Sequence, residues 1–130
     1  MNEISNVIER LKRRAMEDKD ALAILSFGSY ARGEKHSDVD LCLILLPKRY
    51  DELYLSRKKL EYLTLAGEGF DVQVFDQLPI YIKIRALREG KIEFCKDESA
   101  LYELALRTVR EFEQFEPVYL NYLGAVAGAR

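Results

Sequence analysis

Two short apolar runs, residues 22–27 and 41–46, flank a polar, glycine-bearing segment, and together they call for a sheet. Each is too short and too continuously apolar for an amphipathic helix, so each reads as a strand buried in the core. The segment between them runs Gly28-Ser29-Tyr30-Ala31-Arg32-Gly33-Glu34-Lys35-His36-Ser37-Asp38-Val39-Asp40. Side chains alternate faces along a strand, so Asp38 and Asp40 point one way while Val39 points into the core. Two carboxylates that close repel each other, and such a pair beside a core calls for a compensating cation. Magnesium, a hard oxygen-seeking ion whose usual companion is a phosphate chain, fits that need. The Gly28-Ser29 turn is where the phosphates would sit.

Around this centre the chain alternates helices and strands. Ile4, Val7, Ile8, Leu11 and Ala15 recur at helical spacing, with Glu9, Arg10, Lys12, Arg13 and Arg14 on the remaining faces, which predicts an opening amphipathic helix. Residues 29–33 suggest a short helix beginning at the turn. The second strand spans residues 38–46 and ends at Pro47. Residues 50–65 predict a helix with Leu53, Leu60 and Leu63 among its inner positions, broken by Gly67 and Gly69. Residues 70–75 predict a third strand, with Asp71, Gln73 and Phe75 on one face and Val72 and Val74 on the other. Pro79 opens a helix that runs to Glu89 and closes at Gly90, and residues 92–95 form a short edge strand. Asp97 caps a last helix from Glu98 to Phe115, and Pro117 marks a kink or a stop. Tyr119, Leu120, Tyr122 and Leu123 form an apolar, aromatic run after it; Phe112, Phe115, Tyr119, Tyr122 and Leu123 are expected to cover the core, with a partner-contact surface as the alternative. This order predicts an α+β (α/β) domain, a small mixed β-sheet packed against helices.

Bulk properties narrow the function. At 130 residues the chain fits a single domain, 1–130, whose residues 98–130 form a C-terminal helical segment. A net charge of −2 argues against a broad nucleic-acid surface, which needs a basic excess. Cys42 and Cys95 lack metal-ligand spacing and lie in apolar runs, so they read as buried free thiols. The charged, amphipathic opening does not resemble a signal peptide, and no stretch is long enough to span a bilayer. The expected compartment is the cytoplasm, with no membrane partner.

A third acid, Asp71, falls on a strand expected to lie beside the one carrying Asp38 and Asp40. Three carboxylates would then converge at one end of the sheet. Two magnesium ions held there could grip a nucleoside triphosphate and activate an attacking hydroxyl, as in two-metal nucleotidyl transfer. Gly28 lets the backbone approach phosphate oxygens closely. Ser29 can donate its hydroxyl near a helix start, and Arg32, one turn on, reaches toward the same phosphates. Ser37, immediately before Asp38, is counted with them as phosphate-binding. Asp71 is assigned as ligand and general base, and His36 as a solvated loop residue rather than a ligand.

The run from Gly28-Ser29 through Ser37-Asp38-Val39-Asp40-Leu41 closely resembles the minimal nucleotidyltransferases of the polymerase-beta-like superfamily, which include the MntA-type antitoxins. The resemblance extends over residues 70–75, the Pro79 helix ending in Arg88-Glu89-Gly90-Lys91, and residues 92–97, so it covers nearly the whole chain. It implies that the Gly28-Ser29 pair binds triphosphate, that Asp38 and Asp40 bind magnesium, and that Asp71 is the third acid. The loop from Ser29 to Asp38 is somewhat shorter than the family's usual spacing, with every named ligand kept. The resemblance further implies transfer of AMP from ATP to a tyrosine of a HEPN-type toxin, silencing it. The alternatives are a non-catalytic module that neutralises its partner by contact, and a transferase acting on an aminoglycoside-like small molecule.

Overall fold

The two apolar runs pair with each other in one sheet. The computed structural model describes residues 3–33 and 38–128, so Ser37 and His36 lie outside the described residues. The elements are α1 (Glu3–Glu17), β1 (Ala21–Phe27), β2 (Val39–Leu45), α2 (Glu52–Ala66), β3 (Phe70–Val74), a 3-10 turn (Phe75–Gln77), α3 (Ile80–Glu89), β4 (Lys91–Cys95) and α4 (Glu98–Gly128). The strands form one sheet in the order β3-β2-β1-β4. Strand β1 runs antiparallel to both β2 and β4, and β2 runs parallel to β3. The sheet is therefore mixed.

Both faces of the central strands are covered, which is why their sequences lack polar alternation. Leu41, Leu43 and Leu45 pack with Val7, Leu11 and Ala15 of α1 and Leu55, Tyr62 and Ala66 of α2. Cys42 and Ile44, one residue out of phase, pack with Leu22, Phe75 and the α4 residues Leu101 and Leu104 on the opposite face. Burial drives the Cys42 thiol up to about 12, so it stays protonated and inert. Cys42 and Cys95 are both free. Among the described residues, no helix is long and apolar enough to cross a membrane.

The structure corrects four local expectations. Residues 29–33 form turns rather than a helix: Arg32 N–H bonds Gly28 C=O and Gly33 N–H bonds Tyr30 C=O, and Gly33 then takes φ +73°, which ends any helical path. Leu53 and Leu60 point to solvent, at 62% and 65% exposed, and Leu63 is partly buried against the core. The phase of α2 is set instead by its Asp51 N-cap, which accepts from Tyr54 N–H at 2.8 Å, and by Lys58, a charged residue at an inner position. Pro117 does not stop α4, which continues to Gly128. A proline removes one amide bond, and helical turns on either side propagate independently of it. Beyond it Tyr119, Leu120, Tyr122 and Leu123 are exposed rather than covering the core.

Candidate active site

The end of β1 and the starts of β2 and β3 meet at one edge of the sheet. Register pairs Phe27 with Asp40 across the antiparallel ladder, and Asp40 with Asp71 across the parallel one. Gly28 follows directly, at φ +77°, a conformation that side chains disfavour. A Cβ on Gly28 would also lie 2.6 Å from Asp40 Oδ2. Glycine is thus required twice there, by the turn and by the carboxylate lying against its backbone.

Asp40 and Asp71 are half-buried and Asp38 is exposed. Burial pushes the Asp40 carboxyl above the usual carboxylate range, and the charges of Asp71 and then Asp38 push it further. Each of these influences opposes its ionisation. Asp71 is held differently: Gln73, two residues on along the same face, donates Nε2–H to Asp71 Oδ2 at 3.0 Å, while Lys59 Nζ donates to Gln73 Oε1 at 3.4 Å. The amide thereby links an ammonium to the third acid and fixes which carboxylate oxygen is occupied. Among the described residues, no three His, Cys, Asp or Glu side chains close around one point tightly enough to hold an ion. The donor set itself, carboxylate oxygens in mutual repulsion, is what a hard divalent cation needs.

A cavity of about 410 Å³, within the size range of small-molecule sites, opens beside Asp40, while Asp38 and Asp71 are not among its lining residues. Gly28, Ser29, Arg32 and Asp40 line it, so it brings together four residues singled out from the sequence. Its far wall was not anticipated. Ile82, Arg85, Ala86 and Glu89 form one stripe of α3, at the spacing that puts side chains on a single helix face. Glu89 stands between two guanidiniums, 3.9 Å from Arg32 Nη1 and 3.8 Å from Arg85 Nε. The only sequence signal for this wall was its helical spacing, which any amphipathic helix shares. A second cavity, about 430 Å³, lies at the opposite end of the strands beside Lys48, Asp76 and Arg107. It is larger but touches none of Asp38, Asp40 and Asp71, so the first cavity is the candidate site.

Comparison with known proteins agrees with this geometry. Residues 9–99 match the family described as Polymerase beta, Nucleotidyltransferase. A Methanocaldococcus jannaschii protein with the provisional name protein adenylyltransferase is 37% identical over 82 residues, 62% of this chain and 60% of that protein. The chain thus spans about 60% of the length of that relative. Among solved structures, a toxin–antitoxin complex with AMP-PNP superposes with a TM-score of 0.71 at 17% identity, over 94% of this chain and 97% of that one. A tri-AMPylated Shewanella oneidensis HEPN toxin in complex with MNT antitoxin gives 0.67 at 15% identity, over 94% of each chain. These likenesses establish the same polymerase-beta-like fold. The chain belongs to the polymerase beta nucleotidyltransferase family.

Proposed function

We propose that this protein is a magnesium-dependent nucleotidyltransferase that moves AMP from ATP to a hydroxyl, acting in the cytoplasm on a tyrosine of a HEPN-type toxin. The observation that carries this reading is the sheet end where Asp40 lies against the backbone of positive-φ Gly28 and pairs in register with Asp71, its carboxyl feeling the charges of both Asp71 and Asp38. Support comes from the family match, from the adenylyltransferase name of the Methanocaldococcus relative, and from the AMPylated toxin bound to the Shewanella antitoxin.

Asp38, Asp40 and Asp71 are the residues that would hold magnesium, two ions in the full arrangement. When bound, the ions would neutralise the triphosphate and lower the pKa of the attacking hydroxyl. Gly28 lets phosphate oxygens reach its amide, Ser29 donates its hydroxyl, and Arg32 supplies a cation at the cavity rim, with Ser37 as a further phosphate donor. Asp71, oriented by Gln73, takes the proton of the acceptor hydroxyl. The hydroxyl oxygen bonds the α-phosphorus, the bond from that phosphorus to the bridging oxygen breaks, and pyrophosphate leaves with the electron pair.

One observation favours neutralisation by contact instead. The second half of α4 exposes Val118, Leu120, Tyr122 and Leu123, more apolar surface than a lone helix needs. Intact mass separates the two readings. The protein is incubated with labelled ATP, magnesium and the product of the adjacent open reading frame. AMP added to the partner, and lost in Asp38→Asn, is the expected result. A tight complex with no mass change under any nucleotide overturns the catalytic reading in favour of contact.

A further inference from the structure

The second cavity, about 430 Å³, is walled by separate parts of the chain that only the fold brings together. Lys48 and Arg49 come from the link between β2 and α2, Asp76 from the 3-10 turn, Lys83 from α3, and Arg107 and Thr108 from α4. Strand β2 runs from Asp40 at the acidic end to Leu45 at this cavity, a rise of about 17 Å. The two cavities are thus distinct.

The charges around the second cavity are unevenly answered. Lys48 pairs with Asp20 at 2.8 Å, whereas Arg49, Lys83 and Arg107 form no salt bridge among the described residues. Lys83 Nζ stands 5.4 Å from the centroid of the Phe75 ring, which keeps the ammonium at the cavity wall. Two acceptors stand among these cations. Asp76 is half-buried, no hydrogen bond reaches its carboxyl among the described residues, and burial raises it against the opposing charge of Lys83. Thr108 is 5% exposed and donates its hydroxyl to the Leu104 carbonyl at 2.8 Å, which leaves the Thr108 oxygen as an acceptor only.

Three cations without ion pairs call for an anion of more than one charge, and guanidinium and ammonium groups suit phosphate oxygens. Bare phosphate satisfies the cations but meets Asp76 with repulsion. A phosphate ester with hydroxyls nearby satisfies both sets, the phosphate facing the cations and the hydroxyls donating to Asp76 and Thr108. We propose that this cavity binds a small hydroxylated phosphate ester of the sugar-phosphate kind, held by Arg49, Lys83 and Arg107 and selected by Asp76. The site is independent of the nucleotidyltransferase reading and stands or falls without it.

Titration calorimetry with ribose 5-phosphate, inorganic phosphate and sulfate tests it, with magnesium removed by EDTA so that the acidic end repels all three. The wild-type protein is expected to bind one ribose 5-phosphate, at least about tenfold more tightly than inorganic phosphate or sulfate. Arg49→Gln and Arg107→Gln, both at exposed side chains, should each weaken it about tenfold, the scale of one charge-assisted hydrogen bond. Asp76→Asn should tighten inorganic phosphate and bring the two phosphate ligands within about threefold of each other. Melting curves confirm that each variant is folded. Binding unchanged in both arginine variants, or ribose 5-phosphate held no more tightly than sulfate, overturns the site. A margin that survives Asp76→Asn overturns the selection by Asp76, and binding lost in Asp40→Asn but kept in the arginine variants assigns the ligand to the acidic end and overturns the proposal.

Discussion

Two groups of aspartates sit at opposite ends of the same sheet, and the protein treats them in opposite ways. At the end where β1 begins, Asp18 and Asp20 are 4% and 6% exposed, yet each is fully answered. Asp18 Oδ2 accepts from Lys58 Nζ at 2.7 Å and from Tyr62 Oη at 2.9 Å, and its Oδ1 accepts from the Asp20 amide at 3.0 Å. Asp20 accepts from Lys48 Nζ at 2.8 Å and from the Tyr54 hydroxyl. Burial alone would raise the Asp18 carboxyl, but the bonds from Lys58, the Asp20 amide and Tyr62 outweigh it and hold it below the usual range. At the other end Asp40 is pushed the opposite way, by burial and by two further carboxylates. Acids that build a fold come with their cations; carboxylates left in mutual repulsion, as at Asp40, are what the proposed magnesium site requires.

If that contrast is real, the two ends should fail differently. The largest effect is expected from Asp40→Asn: AMP transfer to the partner should drop by about a thousandfold or more, on the scale of removing a principal charge-stabilising group. Its melting temperature should stay level or rise, because a repulsion is relieved. Asp18→Ala should do the reverse. It strands Lys58 without a partner in the core and should cost about 3–5 kcal/mol, lowering Tm by roughly 10 °C or more, with per-molecule activity retained below the transition. Paired melting and intact-mass assays check both. An Asp40→Asn protein that melts far below wild type would end the comparison.

What the sequence made legible follows the same division. Strands β1 and β2 and the glycine turn between them could be read because short apolar runs are local signals, and the Asp71 strand was expected beside β2; its parallel direction and its register with Asp40 came only from the structure. The phase of α2 could not, because Lys58 occupies an inner position on the strength of Asp18, 40 residues away. A charge in the core looks like a charge on the surface until its partner is known. The α3 wall of the cavity was hidden for a related reason. Ile82, Arg85, Ala86 and Glu89 become a site only because Gly90 lets the helix approach β1, a tertiary fact with no local mark. Pro117 misled in the other direction: as a local signal it is strong, yet α4 runs through it.

A smaller effect comes from acid. The Asp18 and Asp20 carboxyls are both depressed in the folded protein, Asp20 chiefly by the bonds from Lys48 and Tyr54. Their stabilisation is therefore complete above the unfolded carboxylate value of about 4 and is lost as pH falls through their lower folded values. Urea midpoints measured between about pH 5 and pH 2 should fall steeply in the wild type, and more gently in an Asp18→Asn, Asp20→Asn double variant. Equal slopes would mean that the network contributes nothing to pH-dependent stability.

The smallest effect belongs to Gln73, and it tests whether the end proposed as catalytic has any scaffolding of its own. Gln73 touches Asp71 Oδ2 at 3.0 Å and carries the reach of Lys59 behind it, so its part is to hold Asp71 in one orientation. Gln73→Leu keeps the volume and deletes the amide. Because Asp71 keeps its charge, ATP should still bind, and the loss should fall on turnover, about three- to tenfold in kcat, a scale of about 1 kcal/mol for one lost hydrogen bond. Gln73→Asn, whose shorter amide reaches Asp71 less well, should recover part of it. KM for ATP should stay level in both variants, since the phosphate-facing residues are untouched. A rise in KM with kcat unchanged would place Gln73 in nucleotide binding rather than in the orientation of the base, and the third acid would then be held by the fold alone.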